Sequence, residues 1–236
     1  TLSLALPLAD LACTGRTWLE LPRAVQAAPG VVWNSFAFAA LAATLGVALG
    51  LVTWRLRVGL VLWLPFLVPG VLLGIAMIGV FNRPVLDAVY RSTAVVVVAF
   101  VVRYLGFAWN GVAHAMRSAD RNLIDAARVE GASGWQVLRD VRGPLAAPQV
   151  GAAWYVTYLL SLWDVETLVL IVPPGGETLA LRVFNLLHYG HNAQVNALCV
   201  VLLGLALAPL VVAEVVRCLA LRSGPHELMG FAPVAS

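Results

Sequence analysis

Charge is what this sequence has least of. Only 11% of its 236 residues are charged and 61% are hydrophobic, with a mean hydropathy of +0.89, whereas soluble domains carry roughly 25% charged residues. A chain this long could bury one or two cores, but it lacks the charged surface to keep them in solution, which excludes a free-standing soluble domain. Lysine is absent, every basic residue being arginine, and no basic stripe interleaves with aromatics, so nucleic acid is excluded as a partner. Cys13, Cys199 and Cys218 are scattered, odd in number and without a C-x-x-C pair, which excludes a disulfide framework and a structural zinc site. There is no G-x-x-x-x-G-K-[ST] loop for nucleotide, and no Ser-His-Asp or His-x-x-x-His set for an integral membrane enzyme. No cofactor is called for.

What the chain does have is long apolar runs. Five segments, 32–53, 58–81, 92–114, 146–172 and 195–217, are each bounded by charge or by Gly/Pro and each is long enough to cross a bilayer. The apolar stretch 1–13 is too short to span and has no basic region before it; it reads as the cut end of a longer helix, so the chain is expected to be a fragment. The expected fold is an all-α polytopic membrane protein of about six transmembrane helices. Arg55, Arg57, Arg117, Arg121, Arg128, Arg139, Arg142, Arg217 and Arg222 fall on one set of connections, and Arg16, Arg23, Arg83, Arg91 and Arg182 on the other. That bias places the first set in the cytoplasm.

Two spans carry further marks. Gly46 and Gly50, at GxxxG spacing, allow close helix packing. Pro65, Pro69, Gly70 and Gly74 predict that 58–81 kinks or unwinds, either as a structural bend or to line a cavity.

Most of the polar residues lie in one connection, 115–145. Asp120 is placed to cap a helix from Arg121 to Glu130, Gly131 to break it, Ser133 to cap a second helix near Gly134–Val141, and Pro144 to end that one. Leu123, Ala126, Ala127 and Glu130 share one side of the first helix, where the alanines make a low knob suited to a groove on another protein.

The order Asp125-Ala126-Ala127, Gly131, then nine residues to Val141-Arg142-Gly143-Pro144 resembles the EAA loop of permeases from binding-protein-dependent ABC importers. All spacings agree; Asp stands for Glu, Val for Ile, and Gly143 where Leu is usual. The resemblance covers most of the chain. It implies a type I ABC importer permease in the bacterial inner membrane, with Asp125, Ala126, Ala127, Gly131, Val141 and Pro144 coupling to a separate ATPase subunit. It also implies an extracellular or periplasmic substrate-binding protein, and a second permease half or homodimer partner, in the lipid bilayer. An ion-gradient-driven secondary transporter is the alternative of another class; it would show internal repeats, and none is visible.

Ionisable residues inside spans mark transport pathways by default. Arg103 lies mid-span, and Asp164 and Glu166 lie toward the outer side of the next span, close enough for an Arg103–Asp164 or Arg103–Glu166 pair. These three are the pathway candidates, as a neutralising pair, as groups that discriminate substrate charge, or as both. Beyond them, Pro173–Gly176 break the chain and a helix from about Thr178 to His188 carries Leu179, Val183, Leu186 and Leu187 on one stripe. His188 and His191 stand three residues apart in a loop and are assigned no metal. This outer region is similar to permeases of the ferric-iron, thiamine and polyamine branch, above all the ferric-iron type, of which the chain matches one half. That implies ferric iron as substrate, with thiamine, a polyamine or another small solute as alternatives.

Overall fold

Helices whose apolar residues run round the whole circumference bury one side against protein and leave the rest to lipid. The computed structural model describes residues 15–26, 29–188 and 192–222, with no strand among them. In order the helices are α1 (Gly15–Gln26), α2 (Pro29–Thr53), α3 (Gly59–Leu67), α4 (Gly70–Phe81), α5 (Asp87–Tyr90) and α6 (Ala94–Arg117). There follow α7 (Arg121–Val129), α8 (Gly134–Gln136), a π-helical stretch Val137–Arg142, α9 (Gly143–Trp163), α10 (Leu179–His188) and α11 (Asn192–Arg222). Pro29–Thr53, Ala94–Arg117 and Gln194–Leu219 are each long and apolar enough to cross a membrane. The expected remnant at 1–13 and the neighbouring Cys13 lie outside the described residues.

The centre of the bundle is α2, α6 and α9. A Cβ placed on Gly46 would lie 3.0 Å from Ala108 Cβ, and one on Gly50 would lie 3.2 Å from Val112 Cβ, so the GxxxG pair is where α2 and α6 run closest together. The α9 helix crosses α2 antiparallel, with Trp154 Nε1 donating to Thr44 Oγ1 at 3.0 Å. One core region joins Phe38, Leu73, Met77, Phe100, Leu168 and Ile171. Away from it, Val52 and Leu60 are 82% and 88% exposed, an apolar surface that none of the described residues covers.

The expected bend in 58–81 is present, and two expected boundaries are corrected. The 58–81 span is two helices, α3 and α4, meeting at 103°. Val68 is extended there (φ −76°, ψ 132°), the conformation favoured before a proline, and Pro69 then opens α4. The expected span 146–172 ends as a helix at Trp163. Its apolar tail misled because Leu168 (0% exposed) and Ile171 (3%) are buried in non-helical turns against protein, so their hydrophobicity reports burial rather than helix. Finally, Pro144 does not end a helix. It stands in the first turn of α9, and the helix runs in from α8 through the π-helical stretch just before it.

Candidate functional site

A helix broken inside a bundle leaves backbone groups that need partners. At the α3–α4 break, the Gly70 N–H donates to Glu166 Oε2 at 3.1 Å, so a carboxylate sits at the positive end of α4. A Cβ at Gly70 would collide with the Arg103 guanidinium and crowd Glu166 Cβ, so only glycine allows this close approach without displacing them.

Arg103, from the middle of α6, ties the site together. Its Nη2 donates to Glu166 Oε2 at 3.1 Å and its Nη1 to Thr167 Oγ1 at 2.7 Å, while Nε lies 3.7 Å from Asp164 Oδ2. Asp164 is saturated in turn: Oδ2 accepts from Thr167 Oγ1 (2.6 Å) and the Tyr104 hydroxyl (2.9 Å), and Oδ1 from the Thr167 N–H (3.0 Å). The last of these caps the turn that ends α9. One guanidinium against two carboxylates leaves a formal charge of −1. The two acids differ sharply in exposure, 2% of the Asp164 side chain against 64% of Glu166. Both open on a cleft of about 420 Å³, lined also by Arg103, Tyr104, Leu160 and Trp163.

The structure therefore brings Arg103, Asp164 and Glu166 together, and both expected pairs form at once. Gly70 was singled out only as part of a bend, and Tyr104 and Thr167 were not singled out from the sequence. Thr167 could have been found by its spacing, three residues after Asp164 at a helix end, whereas nothing near Gly70 in the sequence announces Arg103. In the outer region, Ser35 Oγ accepts from the Leu179 N–H at 2.6 Å and starts α10. Leu179 is buried, Val183 and Leu186 are half-buried and Leu187 is exposed. His188 is exposed, with a ring nitrogen 3.4 Å from Phe184 O, and His191 lies outside the described residues. No group of three or more metal-binding side chains occurs among the described residues.

The 118–142 loop is built from local closures. Asp120 accepts from the Asn122 N–H at 2.9 Å to open α7. At the other end Gly131, at φ 88°, donates to Arg128 O, and the Ala132 N–H reaches back to Ala127 O. This is a Schellman closure, which requires a residue in the left-handed region where glycine alone is unstrained. Ser133 follows at once with a capping box: its N–H donates to Gln136 Oε1 (2.7 Å) and its Oγ accepts from the Gln136 N–H (3.3 Å). Of α7 only Ile124 is buried; Leu123 is 49% and Val129 89% exposed, Asp125 and Ala126 are exposed and Ala127 is half-buried. Asp125 pairs with Arg128 at 3.7 Å. Val141 is half-buried and Pro144 exposed. The Gly143 N–H donates to Leu138 O, five residues back, and a Cβ on Gly143 would lie 2.9 Å from that oxygen. Glycine at this position therefore accompanies the π-helical stretch.

Residues 35–214 match the family described as binding-protein-dependent transport system inner membrane component. Among curated proteins, the chain is 27% identical over 198 residues to the spermidine/putrescine transport system permease PotC of Haemophilus influenzae, covering 81% of this chain and 76% of that one. It is 32% identical over 101 residues to PotC of Escherichia coli K12, where the match spans 43% of this chain and 38% of the relative's length. A 29% match over 148 residues, 63% of this chain and 56% of the relative, is to PhnV of Salmonella paratyphi A, named for 2-aminoethylphosphonate transport. Among solved structures, an inward-facing MetNI methionine ABC transporter superposes with a TM-score of 0.60 at 19% identity, over 80% of this chain and 94% of that one. At that identity the likeness is one of fold alone.

Proposed function

The chain belongs to the binding-protein-dependent transport system inner membrane component family, and from that premise we propose that it forms one side of the pathway by which an ABC importer takes up a small amine-bearing solute. As an ABC importer permease of the inner membrane it works with an ATPase subunit, a substrate-binding protein and a second permease or homodimer partner. ATP hydrolysis falls to the ATPase subunit, and this chain makes no bonds of its own.

One observation carries the substrate reading: Glu166 presents a largely exposed carboxylate to the cleft from a cluster of net charge −1. Arg103 and Asp164, both buried, hold that carboxylate and the broken helix in place. A negative cluster in a low-dielectric cleft attracts ammonium groups and repels free anions. Relatives named for spermidine and putrescine, both polycations, support the same reading, and 2-aminoethylphosphonate shares with them only its amine. They move it away from ferric iron, the first expectation from the sequence, to an alternative that stood beside it.

The second element is the loop. Asp125, Ala126 and Gly131, with half-buried Ala127 beside them, form the knob for the ATPase subunit, with Val141 and Pro144 at the base that joins it to α9. Binding there turns closure of the ATPase pair into movement of the bundle.

The test is uptake by the whole importer in proteoliposomes, comparing labelled spermidine, 2-aminoethylphosphonate and ferric ion. ATP-dependent uptake of an amine, lowered at least tenfold by Glu166→Gln (about 1.4 kcal/mol), is the expected result. Uptake of ferric ion alone would overturn the substrate reading.

A further inference from the structure

Three arginines from separate segments converge at the end of the bundle that carries the 118–142 loop. Arg55 follows α2, Arg128 belongs to α7, and Arg142 ends the π-helical stretch; with Gly134, Val137 and Leu138 they line a small cavity of about 70 Å³. No carboxylate lines it. Arg128 shares its charge with exposed Asp125 at 3.7 Å, but Arg55 and Arg142 have no acidic partner among the described residues. Both instead lie over the ring of Trp54, each guanidinium carbon 5.2 Å from its centroid. The Arg142 Nε is buried without a hydrogen-bond acceptor. Like charges gathered round one cavity, with a buried donor unmet, suit an anion with several acceptor oxygens.

The surroundings indicate where that anion comes from. Trp54 stands one residue beyond the end of α2, the level at which aromatic rings mark a membrane–water boundary. Next to it along the chain, Val52 (82% exposed), Leu56 (52%) and Leu60 (88%) offer uncovered apolar surface. Basic pockets beside apolar surface at this depth suit the phosphate of a lipid whose chains lie along the helices. We propose that Arg55, Arg128 and Arg142 form a binding site for the headgroup phosphate of an anionic membrane lipid. Because the cavity wall includes both α7 and the π-helical stretch, the lipid braces the base of the loop. The assignment depends on the chain lying in a membrane and on neither the substrate reading nor the coupling reading.

The test uses the purified importer complex in detergent, with native mass spectrometry to count bound lipid and thermal unfolding to follow its effect. Phosphatidylglycerol, phosphatidylethanolamine and inorganic phosphate are added separately. The expected result is one phosphatidylglycerol retained per chain about tenfold more tightly than phosphatidylethanolamine, and about tenfold weaker retention in the Arg55→Gln/Arg142→Gln variant. Arg55→Gln alone, which alters an exposed side chain, serves where the double variant does not fold, with a smaller loss in the same direction. Equal retention of the two lipids, or unchanged retention in a folded variant, overturns the proposal. Stabilisation by inorganic phosphate that displaces the lipid overturns the lipid as ligand. Retention of phosphatidylglycerol only after the ATPase subunit is stripped from the complex overturns it in favour of an acidic side chain of that subunit.

Discussion

The α3–α4 break and the 118–142 loop are both irregular backbone, yet they satisfy it by opposite means. At the break, the freed Gly70 N–H finds its acceptor 96 residues away, on Glu166, and that acceptor is held by Arg103 and, through Thr167, by a saturated Asp164. In the loop every closure lies within five residues: Asp120 to Asn122, Gly131 to Arg128, Ala132 to Ala127, Ser133 to Gln136. The first arrangement makes a rigid, polar seam inside an apolar bundle. The second makes a self-contained knob. The roles proposed above fit that difference: a pathway needs fixed charge at depth, and a coupling element needs a shape that survives displacement as a unit.

Arg103→Met should break the seam most severely. Asp164, with a side chain 2% exposed, loses its cation, a change that costs about 3–5 kcal/mol in a buried pair. Thermal unfolding of the purified complex measures it, with Arg91→Met as control because the Arg91–Asp87 pair is exposed and worth about 0–1 kcal/mol. Equal losses in the two variants would remove the seam's structural importance. Arg103→Met with Asp164→Asn should recover most of the difference.

Gly70→Ala follows in size. The added methyl must displace the Arg103 guanidinium, an overpacking of about 1–3 kcal/mol, and substrate uptake should fall while the ATPase subunit still binds. Unchanged uptake would separate the break from the pathway.

On the loop side, Gly131→Ala should cost about 1–2 kcal/mol, all of it local, because φ 88° strains any residue with a Cβ. Its signature is weaker capture of the ATPase subunit in a pull-down with little change in unfolding temperature. The more severe Gly131→Pro also removes the N–H that closes on Arg128 O. Full capture by either variant would sink the coupling assignment. Ser133→Ala should have the smallest effect, about 1 kcal/mol from the lost cap, seen as faster hydrogen exchange at Gln136 and not as loss of transport.

The loop was legible to within a residue or two because capping and turn rules act over a few positions: Asp120, Gly131 and Ser133 stand where sequence reasoning places them. Pro144 was misread, since a proline that ends one helix and a proline that opens the next look alike until the π-helical stretch is seen to join them. At the break, Pro65, Pro69 and Gly70 announced a bend but not its partner. Arg103, Asp164 and Glu166 announced themselves as ionisable groups in apolar surroundings, while Tyr104 and Thr167 are ordinary residues until the fold brings them to Asp164.

By itself the sequence determined that this is an all-α membrane protein, where its apolar segments lie, and how its one polar loop closes. Those depend on composition and on groups a turn or two apart. Only the tertiary structure decided that α9 stops at Trp163, that Glu166 meets the start of α4, and that Arg55, Arg128 and Arg142 share one cavity. Each of these is a meeting of side chains distant in the chain, set by how the helices pack, and no local pattern encodes it.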